Sequence, residues 1–153
     1  MNTTMSSLQA KDLSQQAPRG PRERINGYVL MARMIDKGRA TLAGTNHEYH
    51  FNCPLDNMLF SFKGLDGEEV RKVLASGATD QEIARWIETH GTPKTKEDVE
   101  AWSRQTEQVS FYTVPEKREW FSGECRRLGL DPAKTTLFEY LEVDDRESYK
   151  KRS

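Results

Sequence analysis

The chain has 153 residues, of which 31% are charged and 35% hydrophobic, and its formal net charge is −1. This length fits one domain of about 100 to 200 residues, and the balanced charge argues against a nucleic-acid partner. Cys53 and Cys125 match no zinc or redox spacing, which favours a reducing compartment. Because no segment approaches the about 18 apolar residues of a membrane span, we expect a cytoplasmic protein with no membrane partner.

The amino-terminal part is polar and carries a local excess of positive charge. Residues 1–16 are rich in Ser, Thr and Gln and predict a flexible tail. Residues 17–24 contain two prolines and three arginines, which predicts an extended arm that acts as a linker or a docking strand. Residues 1–46 hold seven Lys or Arg against three Asp or Glu. This excess can steer an anionic partner, although a solvated surface also explains most such patterns.

The next segments predict a helix, an extended crossing and a second helix. Apolar residues at helical spacing predict a helix over residues 28–43, which Gly44 would end. Residues 45–53 alternate enough to predict a short extended segment or hairpin. Pro54 then suits the first turn of a short helix.

The remaining helices are predicted from their capping residues and their apolar spacing. Asp66 and Thr79 are followed three residues later by Glu, which indicates helix starts, and Thr95 caps a further helix. Residues 115–128 and 137–141 supply the last two helices. The sequence therefore predicts a mainly α, single compact domain of about five or six helices over residues 17–145, with a charged tail at 146–153. Six aromatic residues at helical spacing are expected in the core: Trp86, Trp102, Trp120, Phe121, Phe138 and Tyr140.

A first candidate site lies on the helix of residues 28–43. Arg33, Asp36 and Lys37 are spaced by three and four residues, which places them on one helical face beside the basic arm. Guanidinium and ammonium groups suit phosphate or carboxylate recognition. We therefore predict ligand binding by Arg33 and Lys37 together with Arg22 and Arg39. The alternative is an ordinary salt-bridged helix surface.

A second candidate follows in the segment His47-Glu48-Tyr49-His50 with Cys53 and Asp56. These residue types bind divalent metals, but they match no standard zinc spacing, and alternate residues of an extended segment point to opposite faces. No metal site is predicted here. The chain also lacks a phosphate-binding glycine loop, a nucleophile elbow and a dinucleotide fingerprint, so no cofactor is predicted.

Several short runs resemble an uncharacterised bacterial family, the domain of unknown function 5069. They are PRGPRER (18–24), GYV (27–29), MIDKGRA (34–40), Gly44, EYH (48–50), CPLD (53–56), FKGLD (62–66) and, more weakly, LFEYL (137–141). The likeness covers the chain from about residue 12 onward. It implies no known activity, but it draws attention to Arg22, Arg33, Asp36, Lys37, Arg39 and Asp56. The carboxy-terminal segment departs from the aromatic-aspartate pattern of the family, so no role is transferred there.

Two functional hypotheses of different class follow. The first is a cytosolic binding or regulatory module whose basic amino-terminal site takes an anionic small molecule or a partner protein. The second is an enzyme of unknown class in which His50 acts as general acid or base, Asp36 or Asp56 orients it, and Arg33 holds an anionic substrate. An assembly component that acts through its surface is a third possibility. The sequence sets no oligomeric state.

Overall fold

The computed structural model describes residues 10–150, and within that range it contains seven α-helices, two single-turn 3-10 helices and no β-strand. The α-helices are α1 (Met31–Ala43), α2 (Pro54–Lys63), α3 (Gly67–Ala75), α4 (Asp80–Thr89), α5 (Lys96–Glu107), α6 (Pro115–Arg127) and α7 (Leu137–Lys150). The 3-10 helices span Phe111–Thr113 and Pro132–Lys134. The prediction of a mainly α fold is confirmed, although there are seven helices and not five or six.

Helix α1 lies at the centre of the molecule. Its first ten residues are all buried, so the helix is enclosed on every side and not only along one apolar stripe. Gly38 permits a close approach of α3, because a Cβ atom there would lie 2.4 Å from Cδ1 of Leu74. The helix ends at Gly44, whose left-handed backbone conformation lets its N–H reach the last carbonyls.

Local capping chemistry sets the starts of the other helices as the sequence predicts. Thr79 and Glu82 form a reciprocal capping box at the start of α4, and Thr95 and Asp98 form another at the start of α5. Pro54 occupies the first turn of α2. These starts are determined by residues within four positions of one another, which explains why the sequence alone locates them.

The apolar core has a main cluster and two smaller ones. The main cluster joins α1 to α2, α3, α4 and α5 through buried aliphatic and aromatic side chains. Phe121, Cys125, Leu137 and Tyr140 form a second cluster between α6 and α7. Trp120 is an exception to the predicted aromatic core, because it is 54% exposed on α6. It neighbours Phe121, which takes the inward position on that helix.

The segment of residues 45–53 differs from its prediction. It forms turns, and no strand occurs in it. His47 and Asn52 both adopt left-handed backbone conformations, with φ of 51° and 61°, and these conformations interrupt an extended chain. The backbone N–H of Tyr49 also donates to the carbonyl of Asn46 and closes a tight turn. The hairpin prediction was therefore wrong.

Parts of both predicted tails pack against the domain. Leu13 is fully buried, and its N–H donates to the carbonyl of Thr45 just after α1. Residues 1–9 lie outside the described range. At the other end α7 continues to Lys150, and the hydroxyl of Tyr149 donates to the carbonyl of Leu13 at 2.5 Å. Residues 146–150 are therefore helical, and residues 151–153 lie outside the described range.

Candidate functional site

The charged residues of α1 are buried and paired with oppositely charged residues from other parts of the chain. Arg33, Asp36 and Lys37 are each 3% exposed and Arg39 is 7% exposed. A solvated salt-bridged surface therefore does not describe this arrangement. Lys11, the amino-terminal arm, the first turn of α2, the start of α4 and helix α7 all contribute ion-pair partners.

Arg33 lies in a buried cluster that closes against α7. Its guanidinium donates to Asp145 at 2.7 Å, and the hydroxyl of Tyr49 donates to the same carboxylate at 2.7 Å. Burial opposes a charged guanidinium, but the hydrogen bond to Asp145 and its charge outweigh burial and raise the pKa of Arg33. Burial, together with this carboxylate, also raises the pKa of Tyr49, which stays a protonated donor. The Nε of Arg33 is buried and has no hydrogen-bond partner within residues 10–150.

Lys37 lies one turn further along α1 in a second enclosed cluster. Its ammonium contacts Asp56 at 2.9 Å, the backbone carbonyl of His50 at 3.1 Å and Sγ of Cys53 at 3.1 Å. The other oxygen of Asp56 accepts the N–H of Asn52. The ammonium therefore has three partners, and the carboxylate is 1% exposed in its side chain. We assign this pair a structural role in holding the turn segment against α1.

The third charged cluster is open to solvent. Arg19 from the arm binds Asp36 through Nε at 3.1 Å and Nη2 at 3.0 Å, and it binds Asp80 through Nη1 at 2.8 Å. Lys11 lies 3.3 Å from Asp36, and Arg39 lies 2.8 Å from Asp80. These five residues line a groove of about 410 Å³ together with Thr79 and Gln81. We call it the arm groove.

The ionisation of the arm groove is determined by the mutual pairing of its side chains. Burial alone would raise the pKa of Asp80, but the hydrogen bonds and charges of Arg19 and Arg39 outweigh it and lower that pKa. Burial alone would lower the pKa of Arg19, and the hydrogen bonds to Asp80 and Asp36 raise it instead. Arg19 is therefore a cation and Asp80 a carboxylate at neutral pH.

The predicted site residues are not brought to one place. Arg39 lines the arm groove, whereas Arg33 and Lys37 lie in the two enclosed clusters. Arg22 is exposed and pairs with Glu142 of α7. A role in ligand binding for Arg22, Arg33 and Lys37 stays a prediction, and each would have to leave its carboxylate partner.

The residues proposed for the enzyme hypothesis are also separated. The side chain of His50 is exposed, and within residues 10–150 it makes no hydrogen bond with Asp36 or Asp56. Asp36 is occupied by Arg19 and Lys11, and Asp56 by Lys37 and the N–H of Asn52. No carboxylate therefore orients the imidazole of His50. The geometry gives the enzyme hypothesis no support.

The sequence analysis missed the residues that complete the three clusters. Lys11 and Arg19 belong to segments interpreted as a tail and a linker, and Asp80 is the first residue of α4. Asp145 lies in the final helix, 112 positions from Arg33. A local signal existed only for Arg19, which precedes a glycine between two prolines in a run that resembles the family.

The described part of the chain offers neither a metal-binding cluster nor a membrane span. In residues 10–150 no group of three or more His, Cys, Asp or Glu side chains is arranged to hold a metal ion. No helix in the same range is long and apolar enough to cross a membrane.

Comparison with known proteins assigns the chain to a family without a known activity. The family described as a domain of unknown function, DUF5069, matches residues 15–147. The match begins before the basic arm and ends within α7, so it contains most of the residues of all three charged clusters. No curated protein matches the chain. The chain belongs to the family of the domain of unknown function 5069.

Proposed function

We propose that the protein is a cytoplasmic, bacterial binding module that holds a small anion, or an acidic segment of a partner protein, in the arm groove. The observation that carries this proposal is the convergence of Lys11, Arg19 and Arg39 on one open groove with two carboxylates. The groove has one cation more than it has carboxylates. A ligand with a carboxylate or phosphate group would balance that excess.

The start of α4 adds to the attraction for an anion. Thr79 and Gln81 line the groove, so the positive end of the helix dipole faces it. The capping box occupies the N–H groups of Thr79 and Glu82. The N–H groups of Asp80 and Gln81 belong to the first turn, which has no intrahelical acceptors. Backbone donors and guanidinium groups together are the usual partners of bound phosphate.

The dimensions of the groove limit what it can hold. Its volume of about 410 Å³ is near the lower end of ligand pockets, which span about 300 to 1,000 Å³. Arg39 is almost fully buried, whereas the side chains of Lys11 and Arg19 are 29% and 25% exposed. An anion would therefore contact Lys11 and Arg19 at the rim and the start of α4 at the base.

The test measures anion binding by isothermal titration calorimetry with inorganic phosphate, citrate and a short poly-glutamate peptide. Lys11→Gln should weaken binding about threefold to tenfold, because it removes one charged contact. Asp80→Asn should strengthen binding by a similar factor, because it frees Arg19 and Arg39 from their shared carboxylate. Lys72→Gln is the matched control, since Lys72 is an exposed lysine on α3 whose side chain is 75% accessible.

Opposite effects of the two substitutions in the groove distinguish a specific site from general charge attraction. If Lys11→Gln and Lys72→Gln weakened binding equally, the anion would be held by net charge and not by the arm groove. Absence of binding by all three probes would contradict the proposal.

A further inference from the structure

A second and larger groove lies between the turn at residues 26–28 and the exposed face of α5. Its volume is about 1110 Å³. Glu97, Glu100, Ala101 and Arg104 line one wall at spacings of three and four residues, which places them on one face of α5. The groove follows this helix for about 12 Å, at about 1.5 Å per residue. We call it the α5 groove.

Tyr28 supplies to the α5 groove a hydroxyl that has no hydrogen-bond partner among the described residues. The residue is 2% exposed, and its ring packs beside Phe62 and Trp102. Its side chain lines the groove, yet the hydroxyl makes no hydrogen bond within residues 10–150. The hydroxyl is therefore free to bond to a molecule in the groove.

The charges at one end of the α5 groove are also unpaired. Glu88, Lys94, Lys96 and Glu97 line this end and form no ion pair within residues 10–150. The ammonium of Lys94 lies 4.5 Å from the centre of the Phe62 ring. By contrast, Glu100 further along the wall is bound by Arg24 and Arg104. Two carboxylates and two ammonium groups thus remain available at the same end.

The balance of these groups defines the ligand that they complement. Burial, followed by the nearby carboxylate of Glu88, raises the pKa of Tyr28, so its hydroxyl is neutral at physiological pH. The Tyr28 oxygen and the Glu88 carboxylate can both accept N–H bonds from an ammonium group. Lys94 and Lys96 can donate to a carboxylate. A purely anionic ligand would leave the carboxylate of Glu88 without a partner, and a purely cationic ligand would leave the ammonium groups of Lys94 and Lys96 without one.

We propose that the α5 groove binds a zwitterion with a free ammonium and a free carboxylate, namely an amino acid or a short peptide. Tyr28 and Glu88 hold the ammonium group, and Lys94 and Lys96 hold the carboxylate. The volume exceeds that of a single amino acid, so the wall formed by α5 offers room for a side chain or for further residues. This site is separate from the arm groove and does not depend on anion binding there.

The experiment screens the full chain by thermal shift against the twenty amino acids and against di- and tripeptides, followed by titration calorimetry of the best ligand. Its N-acetylated and amidated analogues each lack one charge and should bind at least tenfold more weakly. Tyr28→Phe and Glu88→Gln should each reduce affinity about tenfold, the usual effect of losing one bond to a charged group. Tyr112→Phe is the matched control, because its hydroxyl bonds only to exposed Arg118.

The unliganded variants separate binding from folding. Tyr28→Phe should leave the melting temperature unchanged without ligand, because the hydroxyl has no partner to lose. A fall in the melting temperature of unliganded Tyr28→Phe would show that the hydroxyl is structural and would overturn the assignment. Two further results would also overturn it: no binding by any amino acid or peptide, or binding with an affinity that Tyr28→Phe and Glu88→Gln leave unchanged.

Discussion

The charged residues of α1 and those at the start of α5 differ in whether they have ion-pair partners. Arg33 and Lys37 on α1 are buried and bound to carboxylates brought from other elements. Lys96 and Glu97 on α5 border a groove and form no ion pair within residues 10–150. A buried charge without its partner is very costly, whereas an exposed one is solvated by water. Lys37 therefore holds the fold, whereas Lys96 and Glu97 are available to a ligand.

The largest expected effect is the loss of the buried pair between Lys37 and Asp56. Asp56→Asn should lower the free energy of unfolding by about 3 to 5 kcal/mol, because it leaves the ammonium of Lys37 buried without a negative charge. Urea denaturation measures the change. Glu69→Gln, which removes an exposed partner of Lys72, should cost at most about 0.5 kcal/mol. Equal losses in the two variants would contradict the structural role of the Lys37 pair.

The cost of breaking that pair should be partly relieved when both charges are removed. The double variant Lys37→Met with Asp56→Asn should lose only about 1 to 2 kcal/mol, because no uncompensated charge stays inside. A double-mutant cycle in urea measures the coupling between the two positions. Additive losses would mean that the two residues act independently.

A matched pair of tyrosine substitutions compares the buried cluster of Arg33, which contains Tyr49, with the α5 groove, which Tyr28 lines. Tyr49→Phe removes a donor to the carboxylate of Asp145 and should destabilise the protein by about 1.5 to 3 kcal/mol. Tyr28→Phe removes a hydroxyl that has no partner in residues 10–150 and should change stability by less than about 0.5 kcal/mol. Thermal and urea unfolding of both variants check this contrast. The comparison fails if Tyr28→Phe costs as much as Tyr49→Phe.

The smallest expected effect is the acid sensitivity contributed by Asp80. Its pKa is lowered in the folded protein from an ordinary value of 3.8, so the unfolded chain binds the proton first as the pH falls. The stabilisation is complete above pH 3.8 and is lost as the pH falls through the lower folded value. Because Asp80 is about one-third exposed, we expect at most about 1 kcal/mol. The difference in unfolding free energy between wild type and Asp80→Asn should shrink between pH 6 and pH 3, and a constant difference would contradict this assignment.

The helix starts show what can be predicted from local sequence. Thr79 was predicted as a cap because Glu82 lies three residues later, and Thr95 was also predicted as a cap; in the structure Glu82 and Asp98 complete a capping box with each. The turns at residues 45–53 were missed because alternation of residue types does not reveal left-handed backbone conformations at His47 and Asn52. No local sequence pattern predicts which of these segments contact one another.

The candidate sites show what local sequence cannot predict. The spacing of Arg33, Asp36 and Lys37 predicted one shared face of α1, but spacing within one helix cannot say what packs against it, and the three side chains lie in three different clusters. Asp145 reaches Arg33 from 112 positions away, and Asp80 reaches Arg19 from 61 positions away. Each partner is chosen by the packing of whole helices and of the arm. The sequence therefore could not distinguish a buried ion pair from a solvated charge.

The sequence by itself determined the helical class, most helix starts and the family, because these depend on short-range capping, apolar periodicity and the order of residue types. Only the tertiary structure decided which charges are buried, which are paired and where open grooves remain. The physical reason is that burial and pairing depend on side chains brought together from distant segments. A lysine that is buried against a carboxylate, such as Lys37, stabilises the fold, whereas an exposed lysine that lines a groove, such as Lys96, is available to a ligand.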